Sequence, residues 1–296
     1  MKPDTQYREL LRKILNEGVP VMPKQEEQAL CLFGHQMKFD LSNGFPMITE
    51  RDLLSDGKVT KSIFHQSLGE LFAFLYGARY QSQLERFGCK WWKPWVTKEK
   101  CEKRGLEEGD LGPGSYGPAW RYFPTLDGNY FDQITHVIQQ IKELPNLRTH
   151  FVSPWIPQYV GRGIGKKQSV VVAPCHGWLH FLVNVETGEI SLHHFQRSAD
   201  VPVGLVCNMI QYGALLLMVA QVTGYKAKEL VYTISDAHIY ARQIPAVEKM
   251  LATEPTPLPT VNINPEIEEI FAFHQEDFEV SGYNPQNPRM VIWTPV

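Results

Sequence analysis

Apolar side chains at Tyr7, Leu10, Leu11, Ile14 and Leu15 recur at the three-and-four spacing of one helix face, and Gly18 follows as a stop. From 29 to 41 the pattern changes to alternation through Leu30, Leu32 and Phe39, predicting a strand that ends at the turn Ser42-Asn43-Gly44. Residues 63–76 predict a strongly apolar helix that contains Glu70 and is closed by Gly77. Phe131, Ile134, Val137, Ile138 and Ile141 predict a further helix over 129–144, ended by Pro145. Short strands are expected at 150–153 and 170–173. A hairpin is expected from 178–185 and 190–197, which flank Glu186-Thr187-Gly188-Glu189. Residues 209–222 read as a buried helix and 230–234 as a strand. The Pro-rich stretch 253–259 reads as an extended connector, because strand signal resumes at Val261. Helices and strands interleave without a regular βαβ alternation, and that predicts an α+β (mixed) fold. The interval 97–112, with four basic and five acidic side chains, reads as a solvated excursion from a single domain spanning 1–296.

The composition narrows the classes. With 43% hydrophobic and 21% charged residues over 296 positions, the chain is expected to be globular rather than disordered. A net charge of -3 offers no electrostatic footprint for DNA or an anionic membrane surface, so neither is expected as a partner. Residues 201–225 carry no formal charge. Pro202, Gly204, Asn208, Gln211, Gly213 and Gln221 interrupt them, favouring a loop that feeds a buried helix over a membrane span. The N-terminus leads into charged helix and not into the apolar run of a signal peptide. The five cysteines are odd in number and match no zinc spacing, so reduced thiols, a cytoplasmic location and no metal are expected.

Candidate chemistry concentrates between Pro174-Cys175-His176 and Gln196-Arg197-Ser198-Ala199-Asp200. A cysteine attacks as its thiolate, which a nearby cation favours, and a folded-back hairpin would bring Arg197 toward Cys175. On residues alone, a lone Cys-His is a weak signal, and a buried inert cysteine beside a surface histidine is the commoner case. A cysteine hydrolase is disfavoured, because a histidine adjacent in sequence cannot easily turn onto its neighbour as general base.

Together with Gly204, Asn208 and Asp236-Ala237-His238-Ile239-Tyr240, these motifs resemble, in order and spacing, those of folate-dependent thymidylate synthases and the related pyrimidine-nucleotide hydroxymethylases. The resemblance extends to Phe33-Gly34-His35-Gln36-Met37, Asn43-Gly44-Phe45-Pro46, Glu70, Trp92 and Trp95. It also covers Gly109-Asp110-Leu111-Gly112-Pro113 with Tyr116-Gly117 and Trp120-Arg121, and Asp277-Phe278-Glu279 with Tyr283 and Pro285. It implies a large mixed sheet packed by helices, with one sheet face forming a homodimer interface.

The resemblance also implies roles. Cys175 would add to carbon 6 of a uracil ring and make carbon 5 nucleophilic toward 5,10-methylenetetrahydrofolate, the co-substrate. Arg197 would hold the thiolate and the nucleotide phosphate, with Tyr116 and His176 in the catalytic set. Asn208, joined by Gln196, would read the base of a dUMP-like nucleotide, and Glu70 would relay protons from a buried position that raises its pKa. Lys24, Ser198 and Arg148 would touch phosphate, Arg148 from the partner protomer. His238 and Tyr240 would bind the sugar. Trp92, Trp95, Asp200, Gly204 and Val296 would contact the folate. A contact between the folate tail and one of the lysines of 97–112 is a further option.

Departures accompany the resemblance. The family's phosphate loop is replaced by Lys24-Gln25-Glu26-Glu27-Gln28-Ala29, a second arginine by Thr149, and a glycine pair by Ile234-Ser235. Cys207 stands for an aromatic, His180 for a glutamine, and the tail ending in Val296 is short. Three readings follow: reductive methylation of dUMP to dTMP, 5-hydroxymethylation with water in place of hydride, and a non-catalytic nucleotide- or RNA-binding relative.

Overall fold

A computed structural model describes residues 2–23, 27–57 and 61–295. The first half runs α1 (Gln6–Glu17), β1 (Val19–Val21), β2 (Ala29–Asp40), α2 (Ile63–Leu75), α3 (Gln81–Arg86), α4 (Lys98–Glu102), α5 (Tyr116–Arg121), β3 (Phe123–Pro124), β4 (Tyr130–Phe131) and α6 (Gln133–Glu143). The second runs β5 (Phe151–Val152), α7 (Pro157–Val160), β6 (Trp178–Asn184), β7 (Glu189–Asp200), α8 (Val206–Thr223), β8 (Lys226–Tyr240), α9 (Ile244–Leu251), β9 (Thr260–Ile263) and β10 (Phe278–Ser281).

Six strands form one sheet in the order β1-β2-β8-β7-β6-β5. The β7–β8 pair is parallel and the other pairs are antiparallel, so the sheet is mixed and the fold α+β, as expected. The long strands β2, β7 and β8 pair so that Cys31 opposes His238 and Ser198 opposes Asp236. Packing then follows from apolar surface: α1, α2 and α8 bury Leu10, Leu11, Leu68, Leu71, Ile210 and Leu215 with the sheet residues Phe39, Leu192 and Tyr232 in one core. The segment Val201–Thr223 is long and apolar enough to cross a membrane by length and composition, yet 78% of its most apolar window is buried inside the protein.

Three local expectations change. The helix expected over 129–144 begins at Gln133, because Tyr130–Phe131 pairs with Phe123–Pro124 and the Asp132 side chain caps the helix by accepting from Thr135 N. Residues 170–173 form no ladder: Val171 N donates to the Leu111 carbonyl, and the Ala173 carbonyl accepts from the Arg197 guanidinium. The polar interval 97–112 is not wholly solvated. Cys101 and Leu111 are fully buried, and Asp110 is held by a two-pronged Arg79 bond at 2.8 and 2.6 Å.

The α2 helix carries Glu70 into the core, and Gly69 lets it approach its neighbours: a Cβ there would sit 2.0 Å from the Phe87 carbonyl oxygen. Gly69→Ala should therefore destabilise the fold by at least about 2 kcal/mol in urea titration, since backbone has to move. Gly163→Ala, whose Cβ meets nothing within 4 Å, should stay within about 0.5 kcal/mol of the parent. Equal losses would show that Gly69 is not a packing constraint.

Candidate active site

Strand β7 ends next to the irregular segment that holds Cys175, and Arg197 fastens the two. Its Nε donates to the Pro174 carbonyl and its Nη2 to the Ala173 carbonyl, both at 2.8 Å. Arg197 Nη2 also lies 3.2 Å from Cys175 Sγ, and Arg197 N donates to the Cys175 carbonyl at 2.8 Å. The Tyr116 hydroxyl accepts from Cys175 N at 2.8 Å. Burial pushes the Cys175 thiol up from its ordinary pKa, while Arg197 and Tyr116 pull it down. The expected cation is in place, but desolvation outweighs it in the free protein, and the thiol donates weakly to the Ala173 carbonyl at 3.6 Å.

Cys175 opens onto a cavity of about 840 Å³. Its charged walls are Lys100, Lys103, Arg104, Arg162 and Arg197 against Asp200, a strongly cationic lining in a chain of net negative charge. Such a pocket suits an anionic ligand. Ser198, His238, Tyr240 and Trp95 also line it. Ser198 Oγ donates to Asp236 Oδ2 at 2.7 Å, and His238 Nδ1 lies 3.2 Å from Asp236 Oδ1. The Cys31 thiol donates to the same Oδ1 at 2.9 Å, so one carboxylate organises three strands at the cavity edge. Asp200 is held by Gln243 at 3.0 Å and by Thr294 Oγ1 at 2.7 Å, which ties the C-terminal segment to the cavity.

The remaining expected residues lie behind these walls. His176 is buried, stacks on Tyr116 at 4.4 Å and pairs through Nδ1 with the Tyr212 hydroxyl. Desolvation lowers its pKa to about 3, so the ring is neutral. Glu70 is buried on α2; its Oε1 accepts from Trp91 Nε1 at 2.6 Å and from Trp92 Nε1, and its Oε2 accepts from Gln211 at 2.6 Å. Burial raises its pKa, opposed by these donors. Asn208 sits between two glutamines, accepting from Gln196 Nε2 at 3.1 Å and donating to Gln211 Oε1 at 2.9 Å.

The other expected residues stand at different distances from the cavity. Trp92 is not among the cavity-lining residues; it is 8% exposed, and its indole N–H goes to Glu70. Trp95 does line the cavity, with the Lys100 ammonium 5.2 Å from its ring centre. Gly204 lies in the wide turn Val201–Leu205 and is not among the lining residues. Arg148 is exposed, with its carbonyl accepting from His180 Nε2. Lys24 and Val296 lie outside the described residues. Reading the sequence missed Trp91, Arg104, Arg162, Tyr232 and Gln211 as members of this region, and gave Asp236, part of a quoted motif, no role of its own. Gln211 carried a signal, a polar residue three positions from Asn208 in an apolar helix.

Removing the cation should lift the thiol further. Arg197→Gln should slow iodoacetamide labelling of Cys175 at neutral pH by about tenfold, the effect of one pKa unit, as read by peptide mass spectrometry on folded protein. An unchanged labelling rate would show that Arg197 does not govern the thiolate.

A thiol beside a guanidinium, a cationic cavity and a buried carboxylate behind it reproduce in space what the motifs implied in sequence. The family model described as thymidylate synthase matches residues 5–292 of the 296-residue chain. The chain belongs to the thymidylate synthase family, whose members are one-carbon transferases acting on pyrimidine nucleotides.

Proposed function

We propose that this protein reductively methylates dUMP to dTMP, with 5,10-methylenetetrahydrofolate as co-substrate, and works as a homodimer in the cytoplasm. The observation that carries the reading is the Cys175 sulfur 3.2 Å from Arg197 Nη2 at the wall of the cationic cavity. A nucleotide monophosphate drawn into that cavity would meet the guanidinium through its phosphate and the sulfur through its ring. The thiol gives up its proton to solvent, and the resulting thiolate forms the new S–C bond at carbon 6. The ring's C5–C6 π electrons move toward the 4-oxo group and leave carbon 5 electron-rich. Arg197 stabilises the sulfur while it carries charge. His176, neutral and packed between Tyr116 and Tyr212, holds the wall behind the nucleophile. Glu70, its pKa raised by burial, is better placed to take up and return a proton than an exposed carboxylate would be.

The walls also fit the co-substrate. Trp95 offers an aromatic face, Asp200 a half-buried acceptor for a pterin N–H, and Lys100, Lys103, Arg104 and Arg162 complement a carboxylate-bearing tail. When bound, methylenetetrahydrofolate supplies both the carbon unit and the hydride. The sheet strands also expose Phe33 at 84%, Phe151 at 52% and Leu182 at 46%, apolar surface that a second copy would cover. In such a dimer the exposed Arg148 would reach the partner's phosphate.

Incubation of the protein with dUMP and isotopically labelled methylenetetrahydrofolate should yield dTMP by mass. A 5-hydroxymethyl product would transfer the assignment to hydroxymethylation, and no product would remove the catalytic reading. Cys175→Ala should lose all turnover yet still bind nucleotide. Mixing inactive Cys175→Ala and Arg148→Ala proteins should restore about a quarter of parental activity, because random exchange gives half hybrids with one intact site each. Absence of rescue in verified hybrids would exclude sharing of Arg148 across the interface.

A further inference from the structure

Four buried hydrogen bonds run from Tyr232 through the base-reading position to Glu70. The Tyr232 hydroxyl donates to Gln196 Oε1, and Gln196 Nε2 to Asn208 Oδ1 at 3.1 Å. Asn208 Nδ2 donates to Gln211 Oε1 at 2.9 Å, and Gln211 Nε2 to Glu70 Oε2 at 2.6 Å. The chain starts on β8, passes through β7 and α8, and ends on α2. All five side chains are at most 6% exposed.

Its direction is fixed at both flanks of Asn208. Gln196 Nε2 also donates to the Ser198 carbonyl at 3.0 Å, and Gln211 Nε2 to the Ser67 carbonyl at 3.2 Å. A carbonyl only accepts, so neither glutamine can reverse its amide without losing that bond. Trp91 and Trp92, donors only, already occupy the other oxygen of Glu70, whose carboxylate accepts from Gln211. Asn208 therefore meets an N–H on the Gln196 side and an oxygen on the Gln211 side. Reversing it would set N–H against N–H and oxygen against oxygen, in a buried setting where unmade bonds are costly.

This matters because a free asparagine cannot tell uracil from cytosine. Uracil offers an acceptor at O4 and a donor at N3, whereas cytosine offers a donor at N4 and an acceptor at N3. A half-turn of the asparagine amide converts the complement of one into the complement of the other. After its two bonds, Asn208 keeps one N–H and one lone pair, in directions set by its neighbours. We infer that Gln211 is a specificity-determining positioning residue of this site: together with Gln196 it locks the Asn208 amide and so restricts the pocket to 4-oxo pyrimidine nucleotides. This inference rests on the nucleotide reading above.

Calorimetric binding of dUMP and dCMP to the parent, Gln211→Met and Gln211→Glu proteins tests it. The parent should favour dUMP, and Gln211→Met should narrow the ratio by about tenfold, chiefly through tighter dCMP binding. General damage to the pocket would weaken both ligands and leave the ratio in place. Gln211→Glu, protonated toward Glu70 and accepting from Asn208, should restore the ratio. A folded Gln211→Met with parental selectivity would overturn the role of Gln211. A neutron structure of the parent protein without nucleotide provides a second measurement that does not require the variants to fold. Deuterons on Asn208 Nδ2 toward Gln211, and on Gln211 Nε2 toward Glu70, support the inference, and a reversed amide overturns it. A parent protein that binds neither nucleotide would instead overturn the functional reading, and the selectivity claim with it.

Discussion

The site depends on one guanidinium that is given several acceptors at once. Arg197 bonds to the carbonyls of Ala173 and Pro174, just before Cys175, and touches the Cys175 sulfur. The planar, permanently charged fork makes this geometry possible; a lysine ammonium could not satisfy two fixed directions in the same way. The segment 170–174 can remain irregular because Arg197 supplies donors that a strand neighbour would otherwise supply. The sulfur's position is thus tied to the end of β7, and through β7 to the centre of the sheet. Local disorder of the backbone hydrogen-bond pattern and the placement of the reactive atom have a common cause.

Around that anchor the protein separates two electrostatic environments. The cavity in front of Cys175 is cationic and open to a charged ligand. Behind it lies a buried layer in which His176 is held neutral and Glu70 is surrounded by N–H donors. Burial works against charge on both Cys175 and Glu70, and specific donors work for it. Groups balanced in that way respond strongly to a ligand that brings its own charge or displaces water, which is the behaviour a thiol and a carboxyl need if they are to exchange protons near neutrality.

Much of this arrangement was legible in the sequence, for physical reasons. Period and stop signals located α1, α2, α8 and the β6–β7 hairpin, because each buries one continuous apolar surface. The spacing of Cys175 and Arg197 across that hairpin indicated their meeting. What stayed hidden depends on contacts between distant segments. Residues 170–173 look like a strand by composition, but their bonds go to Leu111 and to the guanidinium of Arg197, both distant in sequence. Trp92 has the composition of a ligand platform, but its N–H is needed by Glu70. The run from Lys98 to Arg104 looks like an ordinary solvated surface, since nothing local says that its cations close one side of a cavity. Gln211 reads as a blemish in an apolar helix until Asn208 and Glu70 are seen on either side of it.

The central claim is that the Cys175 sulfur bonds to carbon 6 of a pyrimidine nucleotide held in the cationic cavity. It is tested most directly by trapping with 5-fluorodeoxyuridylate, whose carbon–fluorine bond blocks release once the one-carbon unit is attached. In the presence of methylenetetrahydrofolate, mass spectrometry should find nucleotide and folate covalently joined to the peptide that contains Cys175. If the fluorinated nucleotide binds yet leaves that peptide unmodified, the covalent account is wrong.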